Sequence, residues 1–156
     1  MKKSLIILFV TVISTTAVAQ QATDYAEIVR SAISTEKKAL IAEVMQFNDQ
    51  QGQVFWPIYN EYQEKMYKIG TKKYQLIKNF ADHFDNMPEE EAKDILKEAD
   101  AIEREYLKLK KAYVKKFLKI LPAQTVLRYF QAENKIKLLI DAKISSEVPL
   151  LNDLQN

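Results

Sequence analysis

MQFNDQQGQVFWPIYNEY, residues 45–62, carries the signals of a helix start and then, about two turns inside, a proline. Asn48 is a good N-cap. Gln51 falls at the third helical position, from which its side chain can reach back to the Asn48 amide, so the pair reads as a capping box. Asp49 suits the positive end of the helix dipole. Pro57 removes one backbone donor and crowds the carbonyl of Gln53, so a kink is expected there. Such a kink lets Phe55, Trp56 and Tyr59 wrap around a neighbouring helix. Starting and bending a helix accounts for every residue of the stretch except the chain's only tryptophan, Trp56.

Outward from this start the apolar residues keep helical spacing. Phe55, Ile58, Tyr59, Tyr62, Met66, Ile69, Leu76 and Phe80 recur at three and four and lapse only near Lys73, which predicts one helix from Asp49 to about Phe84. Asn86-Met87-Pro88 breaks it, and Glu89, Glu90 and Glu91 open the next on the favourable side of its dipole. Its stripe, Ala92, Ile95, Ala99, Ile102, Tyr106, Leu109, Tyr113, Phe117 and Ile120, is close to a heptad repeat. Lysines between Lys108 and Lys119 crowd its C-terminal half. Pro122 ends this helix and opens another that runs to about Ile144. The remainder, 145–156, is expected to be an extended tail held out of helix by Pro149. Upstream, a helix is expected from Asp24 or from Thr35 to Gln46. No segment alternates with a period of two, and the chain has only two glycines and four prolines. The fold class is therefore all-α, with about four helices.

Length decides the arrangement. A helix over 49–84 would be about 54 Å long, whereas a compact globule of this size has a radius of gyration of about 14 Å. The expectation is elongated antiparallel helical hairpins forming a curved, cradle-like layer. Such a layer buries one face well and leaves the other polar or in contact with a partner, which points to a homodimer.

The first residues, MKKSLIILFVTVISTTAVAQ, have the three parts of a secretory signal: Lys2 and Lys3, an apolar run from Leu5 to Ile13, and Ala17-Val18-Ala19. Cleavage is expected between Ala19 and Gln20, leaving 20–144 as a single helical domain. The rival reading, an uncleaved anchor, has an apolar run cut short by Ser14, Thr15 and Thr16. The expected location is the periplasm, as an exported protein with no membrane span after cleavage. The chain holds 23 Lys+Arg and 21 Asp+Glu. Losing Lys2 and Lys3 leaves 21 of each sign, so the overall balance gives no reason to expect nucleic acid. There is no cysteine, so core packing or association has to hold the fold.

No motif in the sequence favours catalysis. Gly52 and Gly70 cannot make a phosphate loop, His83 is the only histidine, and Asp82-His83-Phe84-Asp85 is better read as solvated surface than as a metal site. The expectations are no enzyme, no cofactor and no metal. Aromatic residues are the remaining candidates. Each is either core or part of an open apolar face, and Phe55, Trp56, Tyr59, Tyr62, Met66 and Tyr67 are the candidate surface for clients or partners.

Two segments carry a resemblance. FNDQQ, with Phe47, Asn48 and Gln51, and ILPAQ, with Ile120, Pro122 and Gln124, are similar to the paired LTxxQ motifs of the Spy/CpxP superfamily of bacterial periplasmic proteins. Both depart from the pattern at its first two positions, and the second has no hydroxyl. EKKALIAEVMQFNDQQGQVFWPIYNEY and LPAQTVLRYFQAENKI, with the EVPL tail, resemble more closely an uncharacterised secreted bacterial branch, over about Glu36 to Leu151. The resemblance implies an all-helical, cradle-shaped dimer. It also implies an ATP-independent chaperone, or holdase, for unfolded or misfolded envelope proteins. The alternatives it implies are an envelope-stress adaptor that docks a specific membrane sensor, and a metal-responsive variant.

Overall fold

The computed structural model describes residues 35–147, with side chains as far as 142. The expected signal segment, its cleavage point at Ala19–Gln20, a helix start at Asp24 and the tail beyond 147 lie outside the described residues. The chain divides into two units, 1–40 and 41–156. Of the first, 35–40 are described and are helical. The second holds the buried core.

The described residues form four α-helices and no strand: α1 (35–45), α2 (Asp49–His83), α3 (Glu89–Leu118) and α4 (Ala123–Glu147), with a 3₁₀ turn at Phe84–Asn86. The boundaries follow from local chemistry. At the end of α1, Gln46 takes the left-handed conformation with φ 46° and sends its N–H to the Ala42 carbonyl at 3.0 Å. A side chain there costs about 1–2 kcal/mol. The turn sets Asn48 in place as the cap of α2. The Gln51 N–H donates to Asn48 Oδ1 at 2.9 Å, and the Asn48 N–H donates to Gln51 Oε1 at 3.3 Å. This is the capping box expected from the sequence.

α2 runs unbroken through Pro57, which lies on an exposed face while Phe55 and Tyr59 pack on the buried one. α3 begins at Pro88, whose carbonyl takes the Ala92 N–H at 3.0 Å. α4 begins at Pro122, whose carbonyl takes the Val126 N–H at 3.1 Å. α4 continues to Glu147, past the expected end at Ile144, so Ser145 and Ser146 belong to the helix and not to an extended tail. The residue that a proline biases away from helix is the one before it, here Val148, so Pro149 does not prevent these serines from continuing the helix.

α2 and α3 form one long antiparallel hairpin. Phe55 meets Phe117, Tyr62 meets Tyr113, Lys72 meets Glu105 and His83 meets Glu91, in nearly constant register along its length. α4 then runs back along α3, through Phe130 on Phe117, Asn134 on Lys110 and Lys137 over Tyr106. It also lies beside α2, through Tyr129 on Phe55, Glu133 on Gln63 and Asp141 on Lys73. The main core sits where all these helices meet, around Ile41, Phe55, Tyr62, Phe117 and Tyr129. Farther along, α2 and α3 continue as a pair over a smaller core of Ile69, Leu76 and Ile102.

Candidate functional site

The structure separates the six candidate aromatic and methionine residues. Phe55, Tyr59 and Tyr62 are 0%, 2% and 0% exposed, so they are core and cannot meet a client. The reason is the last helix: Tyr129 of α4 closes over Phe55 and Tyr59 at ring distances of 5.1 and 6.1 Å. Met66 and Trp56 are half-buried against the same core. Trp56 sets its ring edgewise on Phe55 and Tyr59. A methyl group at Gly52 would meet the indole edge at 3.5 Å, so the tryptophan lies over the glycine as a cover on the aromatic cluster. Of the six, Tyr67 alone is exposed.

The motif residues also separate. Phe47 packs on Phe55 at 4.6 Å, and Asn48 with Gln51 caps α2. Ile120 is half-buried, and Pro122 starts α4 through its carbonyl. Gln124 is exposed and, among the described residues, its side chain makes no hydrogen bond. The second motif therefore does not repeat the cap of the first: Leu121, where Asn48 stands in the first motif, has no side-chain oxygen to offer, and it is buried.

Charge is distributed both inside and along the hairpin. Glu133 is 3% exposed and accepts from Gln63 Nε2 at 3.3 Å. Burial, with the Glu133 carboxylate adding to it, pushes the hydroxyls of Tyr59, Tyr62 and Tyr129 above the ordinary tyrosine range. At the α2–α3 surface, Lys65 and Lys116 both donate to Glu61 at 2.9 Å. The hydrogen bonds from Lys65 and Lys116 hold the Glu61 carboxyl down to about 2. Partial burial pushes Asp141 upward, but hydrogen bonds from Lys137 and Lys73 outweigh it and the net direction is down.

A group held below its unfolded-state value contributes stability above that value and loses it as pH falls toward the folded one. Stability should therefore hold from neutral pH to roughly the ordinary carboxylate range, near 4.5, and decline from there to about 2. The check is a guanidinium midpoint measured against pH for the native chain and for Glu61→Gln. The two should differ at pH 6 and converge near pH 2; a constant gap would remove Glu61 from the acid response.

Four of the exposed large apolar residues lie along the outward seam between α3 and α4. Leu107 and Leu118 of α3 are 50% and 48% exposed, and Leu127 and Leu138 of α4 are 60% and 68% exposed. Lys110 Nζ donates to Asn134 Oδ1 at 2.9 Å, and Lys137 stands 5.2 Å above the Tyr106 ring. That register sets Leu107 beside Leu138 and Leu118 beside Leu127. At about 100° per residue, both α3 leucines lie on the flank that meets α4, turned outward from buried Tyr113. Exposed Gln131, Asn134 and Lys135 border them on α4. A sequence signal for this face exists: Leu96, Leu107 and Leu118 recur at intervals of 11, just off the core stripe. It was hidden because α3 already has a continuous heptad of larger residues.

On the outermost side of α3, a shallow depression is lined by Arg104, Leu107, Lys108, Lys111, Ala112 and Lys115, with Lys116 and Lys119 beyond. Among the described residues no three His, Cys, Asp or Glu side chains converge as a metal site. His83 instead sets Nδ1 3.0 Å from the Asn79 carbonyl and 3.1 Å from Glu91. No helix among the described residues is long and apolar enough to cross a membrane. Comparison with protein-family models, with curated proteins and with solved structures finds no match for this chain.

Proposed function

We propose that this chain is an exported, ATP-independent holdase that captures unfolded or misfolded envelope proteins on the α3–α4 seam. The observation that carries the reading is the four leucines, each about half exposed or more, aligned along one seam with polar neighbours. A large apolar side chain contributes about 1.5–3 kcal/mol when it passes fully from water into contact, so leucines left in water are a standing driving force for association. The seam is an open face along two helices, which favours exposed apolar segments of varied sequence. Polar neighbours at Gln131, Asn134 and Lys135 add weak, exchangeable contacts that suit release without nucleotide.

The test is light scattering from a chemically denatured client diluted into buffer with and without residues 20–156, no ATP present. Suppression near stoichiometric ratios supports the reading, and undiminished scattering sinks it. An envelope-stress adaptor is the second reading, since the same seam could dock one partner; recovery of a single stoichiometric protein on pull-down favours it, and a broad spread of clients disfavours it.

A second copy of the chain is a further occupant, and the 11-residue leucine interval supports it. In an antiparallel pair centred on Leu107, Leu96 would face Leu118 of the other copy, the self-complementary arrangement that a two-fold axis requires. The chain has no cysteine, so Leu107→Cys reports directly. A disulfide-linked dimer under mild oxidation is expected from Leu107→Cys and not from Val54→Cys; equal linkage at both sites would remove this pairing.

A further inference from the structure

The lysines on the outermost side of α3 form a ridge that the leucine seam does not explain. Arg104, Lys108, Lys111, Lys115 and Lys119 step along the helix by four, three, four and four, and all five are exposed. At 1.5 Å per residue they make a line about 22 Å long. α2 and α4 pack on the other side of α3, through Tyr113, Phe117 and Tyr106. Arg104 is paired with Asp100 at 2.7 Å. Among the described residues, Lys108, Lys111, Lys115 and Lys119 have no carboxylate within ion-pair distance. Most lysines elsewhere on the hairpin are neutralised: Lys65, Lys68, Lys72, Lys73, Lys78 and Lys93 have acidic partners.

From this geometry we infer that the ridge docks the protein on an anionic lipid surface. Four neighbouring, unneutralised ammonium groups repel one another, and a negative counter-surface relieves that repulsion. The lysines border a broad, open hollow on the outer side of one helix. It is too open to enclose a small anion, whereas a plane of headgroups can meet the line of cations at once. The choice of residue agrees. Lysine is a point charge on a flexible stem, fit for mobile phosphates in a plane; bidentate recognition of a fixed carboxylate would favour arginine. Clusters of four to eight basic residues on a helix are of the size that holds to anionic lipid.

The other half of α3 supplies a direction. Glu89, Glu90, Glu91, Asp94 and Glu98 crowd its first turns. The field along the helix therefore changes sign, so the basic half is drawn to the surface and the acidic tip is pushed from it. Leu107 and Leu118 lie on the neighbouring flank, so docking by the ridge would hold the leucine seam alongside the lipid surface. The inference rests on the ridge alone and stands or falls independently of client capture.

The experiment is co-sedimentation of residues 20–156 with vesicles of phosphatidylcholine carrying 30% phosphatidylglycerol, against phosphatidylcholine alone, at low and high salt. Binding is expected only to the anionic vesicles, with loss at high salt. Lys108→Gln/Lys111→Gln/Lys115→Gln touches only exposed side chains, and circular dichroism should show it folded. Each basic residue near such a surface is worth about fivefold in affinity, so the triple variant should bind about a hundredfold more weakly. Equal binding to both vesicle types, or a triple variant that binds like the native chain, overturns the inference. So does release by millimolar inorganic phosphate, which would name a soluble anion as the ligand, or displacement by polyglutamate at equal charge, which would name an acidic polypeptide.

Discussion

Replacing Phe117 with alanine is expected to destabilise the fold by about 3–5 kcal/mol, a large share of the 5–15 kcal/mol that holds a domain together. Phe117 is 0% exposed and stands where three helices meet. Its ring lies 5.2 Å from Phe55 of α2 and 4.9 and 5.9 Å from Tyr129 and Phe130 of α4. Truncation would leave a cavity bordered by rigid rings, which cannot collapse into it as aliphatic side chains partly can. With no disulfide to hold the chain, α4 is tied to the hairpin there mainly through this aromatic cluster. Guanidinium unfolding followed at 222 nm measures the loss, and a cost below about 1 kcal/mol would show that the aromatic cluster is not the keystone of the fold. Tyr62→Phe is the contrast. The Tyr62 hydroxyl is buried with no hydrogen-bond partner, so removing it should leave stability unchanged or slightly raised.

The helices were legible in the sequence because their ends are chemical. Asn48 with Gln51, Pro88 before three glutamates, and Pro122 each act through one or two neighbouring residues, so spacing alone reveals them. Antiparallel hairpins were legible too, since the apolar stripes of α2 and α3 are long; their register was not. The site was not. Phe55, Tyr59 and Tyr62 look like a binding surface when α2 is considered with α3 alone, because a two-helix hairpin would leave one side of them open. Tyr129 and Phe130 of α4 close that side, and only the three-dimensional path of α4 shows it. The same path explains the leucines. Leu127 and Leu138 interrupt no pattern on α4, and they acquire meaning only beside Leu118 and Leu107. Pro57 differs in kind: its lost donor is local, whereas the packing of Phe55 and Tyr59 on both sides of it carries the helix through.

Changing Leu107 and Leu138 together to serine should abolish most client protection while leaving the fold intact. The two residues are 50% and 68% exposed, so each can lose its side chain at a stability change of about 0.5 kcal/mol or less. To a bound client, however, they are contact area. Losing about 1 kcal/mol of apolar contact at each position, on the usual burial scale, amounts to more than a tenfold loss of affinity. In the scattering assay, the concentration of protein needed for half-suppression should rise by at least that factor. The control must make the same chemical change elsewhere. Leu139 is 71% exposed but lies about 100° around α4 from Leu138, and Val54 is 42% exposed on α2. Leu139→Ser/Val54→Ser removes comparable apolar surface from outside the seam, so it should protect as the native chain does. If both double variants lose protection equally, capture depends on total exposed hydrophobicity and the seam has no special role. If neither loses it while the native protein protects, clients bind on a different face, with exposed Tyr67 and Tyr74 on α2 the next to test. Only selective loss in the Leu107/Leu138 variant, with unchanged circular dichroism, joins the register of α3 and α4 to the capture of a client.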